Sequence, residues 1–177
     1  MSQVSTIRYL AYGSNMLPRR IEQRLGSCEA LGVVSLGGYA LRFHKRGRDG
    51  SGKCDAFHTA DPTHALFGVV YALTAEQQRM LDEFEGPGYL CRDVNVRMRS
   101  GVVTAYAYVA KPGHVDTDLR PFHWYKSIVL AGARAHGLPS SYIEEIISVR
   151  STPDPDVERH AHHVAMLDRD FLTGTSR

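Results

Sequence analysis

The chain has 177 residues, of which 43% are hydrophobic and 23% charged, enough to bury one core and too apolar for global disorder. Its 21 basic and 19 acidic residues leave a formal net charge of +2, without the strong basic stripe of a nucleic-acid binder. No apolar run approaches the roughly 20 residues of a membrane span, the first residues lack the order of a secretion signal, and Cys28, Cys54 and Cys91 are widely spaced with no CxxC, so the expectation is a cytoplasmic protein with reduced thiols, with no membrane or nucleic-acid partner.

In chain order, residues 7–12 predict a buried strand that stops at Gly13, Ser14 and Asn15. Pro18 opens a short helix over 18–25 and Gly26 closes it. Strands follow over 30–36 and 39–43, broken by Gly37-Gly38, and then a polar, glycine-rich segment over 45–64 shows neither a helix nor a strand period, the signature of a long functional loop. ALFGVVYAL, residues 65–73, is a strong strand. Thr74 with Gln77 three residues on forms a capping-box pattern. The helix it opens runs to about Glu85 with Met80, Leu81 and Phe84 inward, and Gly86-Pro87-Gly88 ends it. Residues 91–98 and 102–110 read as a hairpin, with Val94, Val96 and Met98 on one face. Helices are predicted over 121–136 and 140–147, and a charged, His-containing helix after 151 leads to a loose end from about 168, ending in TGTSR. Strands early and helices late favour a single α+β domain over 1–177, with a mostly antiparallel sheet or barrel.

GRDGSGKC, residues 47–54, nearly matches the phosphate-binding pattern GxxxxGK[ST]. Cys54 stands where the magnesium-binding hydroxyl belongs, and the following CDAFHTADPTH has no helical period to face phosphates. The segment is instead a basic loop, or one that closes over a small anion. His160, His162 and His163 lack the acid or cysteine that would complete a metal-ligand spacing, and read as a solvated helix face. Cys54 and Cys91 have no activating partner in sequence, so no thiol nucleophile is nominated.

The Gly-Ser-Asn turn after a buried strand allows several backbone N–H groups to converge on one anion or carbonyl oxygen. By itself it is an ordinary turn. Together with LDEFEGPGY, residues 81–89, and HWYKSIVLAGARAHGLPSSY, residues 123–142, YGSN resembles the gamma-glutamylcyclotransferase family and its plant avirulence-induced relatives, over about residues 9–147. The third block is most similar to the branch acting on gamma-glutamyl amino acids, and bacterial members often carry a DGSGK-like segment.

The resemblance implies a small β-barrel with flanking helices and a reaction that needs no metal or cofactor. The α-amine of a gamma-glutamyl group attacks its own γ-carbonyl, giving 5-oxoproline and a free amine or amino acid. Such an attack needs a base for the amine, whose pKa is ordinarily about 8, and an acid for the leaving nitrogen. One carboxylate can serve both ends. The acids of the second helix are Glu76, Asp82, Glu83 and Glu85, and a helical wheel leaves Glu83 and Glu85 on opposite borders of the apolar face. The family pattern selects Glu85. By the same resemblance Tyr12, Gly13, Ser14 and Asn15 hold the glutamyl carboxylate and the reacting carbonyl, and Tyr89 and Tyr125 line the site. Arg42, Lys45, Arg46 and Lys53 are candidates for an outer carboxylate. Met16 after YGSN and Phe84 between the two acids depart from the pattern at positions that shape a pocket. A non-catalytic binding protein of the same fold is the alternative, and the leaving group and oligomeric state stay open.

Overall fold

The structure is a computed structural model that describes residues 6–172, with side chains described through residue 167. Residues 173–177, part of the expected loose end, lie outside it. Seven strands run as β1 (Ile7–Ala11), β2 (Glu29–Gly37), β3 (Tyr39–Arg46), β4 (Gly52–His58), β5 (Ala65–Leu73), β6 (Tyr89–Met98) and β7 (Gly101–Ala110). Five of them close a barrel in the order β1-β5-β2-β6-β7. Every pairing is antiparallel except the closing one, where β1 lies parallel to β7 at Tyr9 and Tyr106. The α+β class and the mostly antiparallel barrel follow the predicted order of elements.

β5 is the spine, because ALFGVVYAL supplies apolar side chains to both its faces: Leu66, Val69, Val70 and Leu73 are all buried. The segment over 45–64 is not one long loop, and this corrects the expectation. β4 pairs with β3 in a second, two-stranded sheet. Its period is hidden because Cys54, Asp55 and Ala56 are buried in succession. Asp55 is buried yet satisfied: one carboxylate oxygen lies 2.8 Å from His44 Nε2 and the other accepts from the Ala110 N–H at 2.7 Å. Between the two strands the turn is tied by Asp49, which accepts from the Ser51 N–H and hydroxyl and from the Lys53 ammonium. A strand, not a helix, therefore follows GRDGSGK.

Five helices flank the barrel: α1 (Pro18–Leu25), α2 (Ala75–Glu85), α3 (His123–Ala135), α4 (Ser140–Ser148) and α5 (Val157–Leu172). The α2 capping box forms as predicted, with Gln77 N–H on Thr74 Oγ1 at 3.1 Å and Thr74 N–H on Gln77 Oε1 at 3.0 Å. Gly86 at φ +71° turns the chain away. The expected inward face is narrower than predicted, since Leu81 is buried but Met80 and Phe84 are exposed. Phe84 lies instead on the surface beneath the Arg24 guanidinium, 5.0 Å from its ring centre. α3 presses directly on the chain after β1. A β-carbon at Gly132 would sit 2.6 Å from the Leu17 backbone nitrogen, so only glycine admits that approach.

Candidate active site

β1 delivers the chain to the barrel rim, where Ser14–Met16 form one 3-10 turn. The Met16 N–H donates to the Gly13 carbonyl at 3.0 Å and the Leu17 N–H to Ser14 at 3.3 Å. No turn or cap bond among the described residues uses the N–H groups of Gly13, Ser14 or Asn15. Gly13 is required for space rather than for its backbone angles. A β-carbon there would come within 2.9 Å of Cys54 Cβ.

Asn15 is the hub of the turn. Its amide nitrogen donates to the Tyr9 hydroxyl and to Glu85 Oε1, both at 2.9 Å, and its oxygen accepts from Arg24 Nη1 at 2.9 Å. Arg24 Nη1 also lies 3.5 Å from Glu85 Oε1. Glu85 is the last residue of α2 and is half-buried over the turn, whereas Glu76, Asp82 and Glu83 are exposed. Asp82 accepts instead from the Tyr108 hydroxyl. The structure thus separates the two acids that the helical wheel leaves equivalent.

Two tyrosines clamp β4 on either side of the site: Tyr125 accepts from the Cys54 N–H at 3.2 Å and Tyr89 donates to the Cys54 carbonyl at 2.6 Å. Tyr12 donates its hydroxyl to the Tyr108 carbonyl on the neighbouring strand β7. All seven residues singled out in the sequence, Tyr12, Gly13, Ser14, Asn15, Glu85, Tyr89 and Tyr125, line one inner cavity of about 30 Å³. Tyr9, Cys54 and Tyr108 complete its wall and carried no separate sequence signal. Burial pushes the hydroxyls of Tyr9, Tyr12, Tyr89 and Tyr125 well above the usual tyrosine range, and the charge of Glu85 adds to this. They remain protonated donors at neutral pH. Burial also pushes the Cys54 thiol up to about 12, so it offers no thiolate.

The inner cavity opens past Ser14, Glu85, Tyr89 and Tyr125 into an outer one of about 430 Å³. The basic residues there divide from those expected. Lys45, Arg46 and Lys53 do line it, but Arg42 faces a different groove, beside Leu41 and Val115. Lys53 is held by Asp49 at 2.7 Å and sits over the Tyr125 ring, 4.5 Å from its centre. Arg20 and Arg24 were missed by sequence. Four residues apart on α1, they share a face and both reach the cavity. That spacing immediately after YGSN is the signal that would have found them. Met16 is fully buried beneath α3 and Phe84 stands at the outer lip. The His-containing helix is less solvated than expected, because His163 stacks on Trp124 with ring centres 3.8 Å apart.

The "AIG2-like family" model matches residues 65–146. Gamma-glutamylcyclotransferase of Homo sapiens is 29% identical over 150 residues, covering 80% of this chain and 77% of that protein. The Mus musculus protein of the same name is 28% identical over 154 residues, covering 81% and 79%. A solved structure described as a gamma-glutamyl cyclotransferase superposes with a TM-score of 0.76 at 27% identity, covering 84% of this chain and 90% of that one. Over most of its length the chain is similar in sequence and fold to gamma-glutamylcyclotransferases. The three sequence blocks that resemble the family, distant along the chain, meet around Glu85, and the AIG2-like match contains two of them, with Glu85, Tyr89 and Tyr125.

Proposed function

We propose that this protein is a gamma-glutamyl cyclotransferase, with Glu85 as its general acid and base. The observation that carries the assignment is the Glu85 carboxylate, fixed by Asn15 and Arg24 at the mouth of a cavity walled by neutral hydroxyls and free loop N–H groups. In this reading the Gly13–Asn15 turn receives the glutamyl carboxylate and the reacting carbonyl, while Tyr89 and Tyr125 close the wall. The substrate reacts as its neutral α-amine, the ammonium proton having gone to solvent. Glu85 takes one N–H proton as the amine nitrogen bonds to the γ-carbonyl carbon and closes a five-membered ring, with charge developing on the carbonyl oxygen against the loop N–H groups. The amide C–N bond breaks as Glu85 returns the proton to the departing nitrogen, so the carboxylate is regenerated. Both reacting groups belong to one molecule, and holding it folded supplies much of the rate.

No helix among the described residues is long and apolar enough to cross a membrane. We place the reaction in the cytoplasm, a reading supported by Cys28, Cys54 and Cys91, all of which are free thiols.

The test is 5-oxoproline formation, followed by mass spectrometry, from a panel of gamma-glutamyl amino acids and amines. Glu85→Gln should lower kcat by about 10²–10⁴-fold, with an unchanged melting profile, while Glu83→Gln runs close to the parent. Equal product from the parent and Glu85→Gln would overturn the assignment of Glu85. A Glu85→Gln protein that still binds the peptides it no longer cleaves would separate catalysis from mere binding.

A further inference from the structure

Six cations line the outer cavity. Three are matched: Arg24 by Glu85, Lys53 by Asp49 and Arg46 by Asp116. Arg20, Lys45 and Arg48 form no ion pair among the described residues. Arg48 shares a neighbouring hollow with Asp82 and Glu83, yet pairs with neither.

Two of the unmatched cations are buried, Arg20 at 8% exposure and Lys45 at 7%. A buried charge without a counter-ion is costly, and groups of this kind are retained where an anion completes them. Burial lowers the Arg20 guanidinium to about 10, which leaves it cationic at neutral pH. Burial also lowers the Lys45 ammonium, against the opposing pull of Glu85. Their places differ. Arg20 stands at the inner end, its Nε 3.0 Å from Ser14 Oγ. Lys45 lies 4.4 Å above the Tyr89 ring centre. Arg48 lies over Gly86, where a β-carbon would meet its Nη2 at 2.8 Å.

Given the cyclotransferase activity proposed above, the glutamyl carboxylate meets Arg20 beside the loop. The α-carboxylate of a leaving amino acid meets Lys45. One cation remains. We propose that the enzyme selects gamma-glutamyl peptides whose leaving residue is itself acidic, with Arg48 receiving the side-chain carboxylate. The cavity's uneven charge works the other way on cationic amines, which it repels.

Gamma-glutamyl-glutamate and gamma-glutamyl-glutamine have nearly the same size and differ by one charge. On the intact protein, kcat/KM for 5-oxoproline formation should favour the acidic peptide by about tenfold, as expected for one added charge-assisted contact. Raising the salt concentration should narrow that ratio, and Arg48→Gln should bring it towards one. Equal kcat/KM for the two peptides overturns the proposal and leaves the cyclotransferase assignment standing. An undiminished ratio in Arg48→Gln overturns the role of Arg48. Product from neither peptide overturns the cyclotransferase assignment for this substrate class. In that event calorimetric dissociation constants for the same two peptides decide the charge selection on their own: tighter binding of the acidic peptide upholds it, and equal binding overturns it.

Discussion

Gly13 sits where a methyl group has no room, and the obstacle is one side chain. Gly13→Ala should force the loop away from Cys54 and spoil a cavity of only about 30 Å³. A displacement of that order costs about 10²-fold in rate where geometry sets the chemistry. Cys54→Gly removes the opposing β-carbon, and the double variant should recover a measurable part of kcat/KM. Strictly additive losses would show that the clash is not the cause. At this scale sequence foretells residue type better than bond. A polar turn was expected at Ser14 and Asn15, but the three hydrogen bonds of Asn15 connect residues 6, 9 and 70 positions away. The choice between Glu83 and Glu85 is likewise invisible on a wheel, because it depends on which acid the helix end carries over the loop.

Each helix meets the site through a definable joint. Gly132 brings α3 against the backbone of the 3-10 turn, so Gly132→Ala should cost about 1–3 kcal/mol by overpacking and reduce turnover as well. Thr74→Ala removes only the α2 cap, at about 1 kcal/mol, at the far end of the helix from Glu85. Thermal melts with parallel 5-oxoproline assays should show both variants destabilised but only Gly132→Ala losing more activity than its melt explains. α2 was legible from sequence because its signals are local, a capping box at one end and Gly86 at the other. β4 was not, because its pattern is set by tertiary partners: His44 and Ala110 bury Asp55 and so erase the alternation that marks a half-buried strand.

Across the molecule, α5 is fastened over α3 by polar and aromatic contacts. Trp124 Nε1 donates to Asp154 Oδ2 at 2.7 Å, Arg159 Nε does so at 2.7 Å, and His163 stacks on Trp124. Burial lowers His163 to about 4, and the charges of Arg20, His162, Lys53 and Arg159 act in the same direction. The unfolded chain therefore binds a proton between its ordinary pKa of about 6.5 and pH 4 that the folded chain refuses. Stability should fall as pH drops through that window, and His163→Phe, which keeps a ring on Trp124, should flatten the fall. Urea midpoints measured from pH 7 to pH 4 test this, and parallel curves for parent and variant would exclude His163 as the titrating group. None of these long contacts has a sequence signature. The strand order of the barrel has none either, since β1 takes its partners from β5 and β7.

That strand order also dictates when the site can exist. YGSN is translated early, but β1 needs β5 on one side and β7 on the other. A nascent chain therefore cannot close the pocket around Glu85 until Ala110, the end of β7, has left the ribosome, and long-range closure of this kind is slow. Until then the arginines of α1 and the acid at the end of α2 are already made and have no barrel to hold them together.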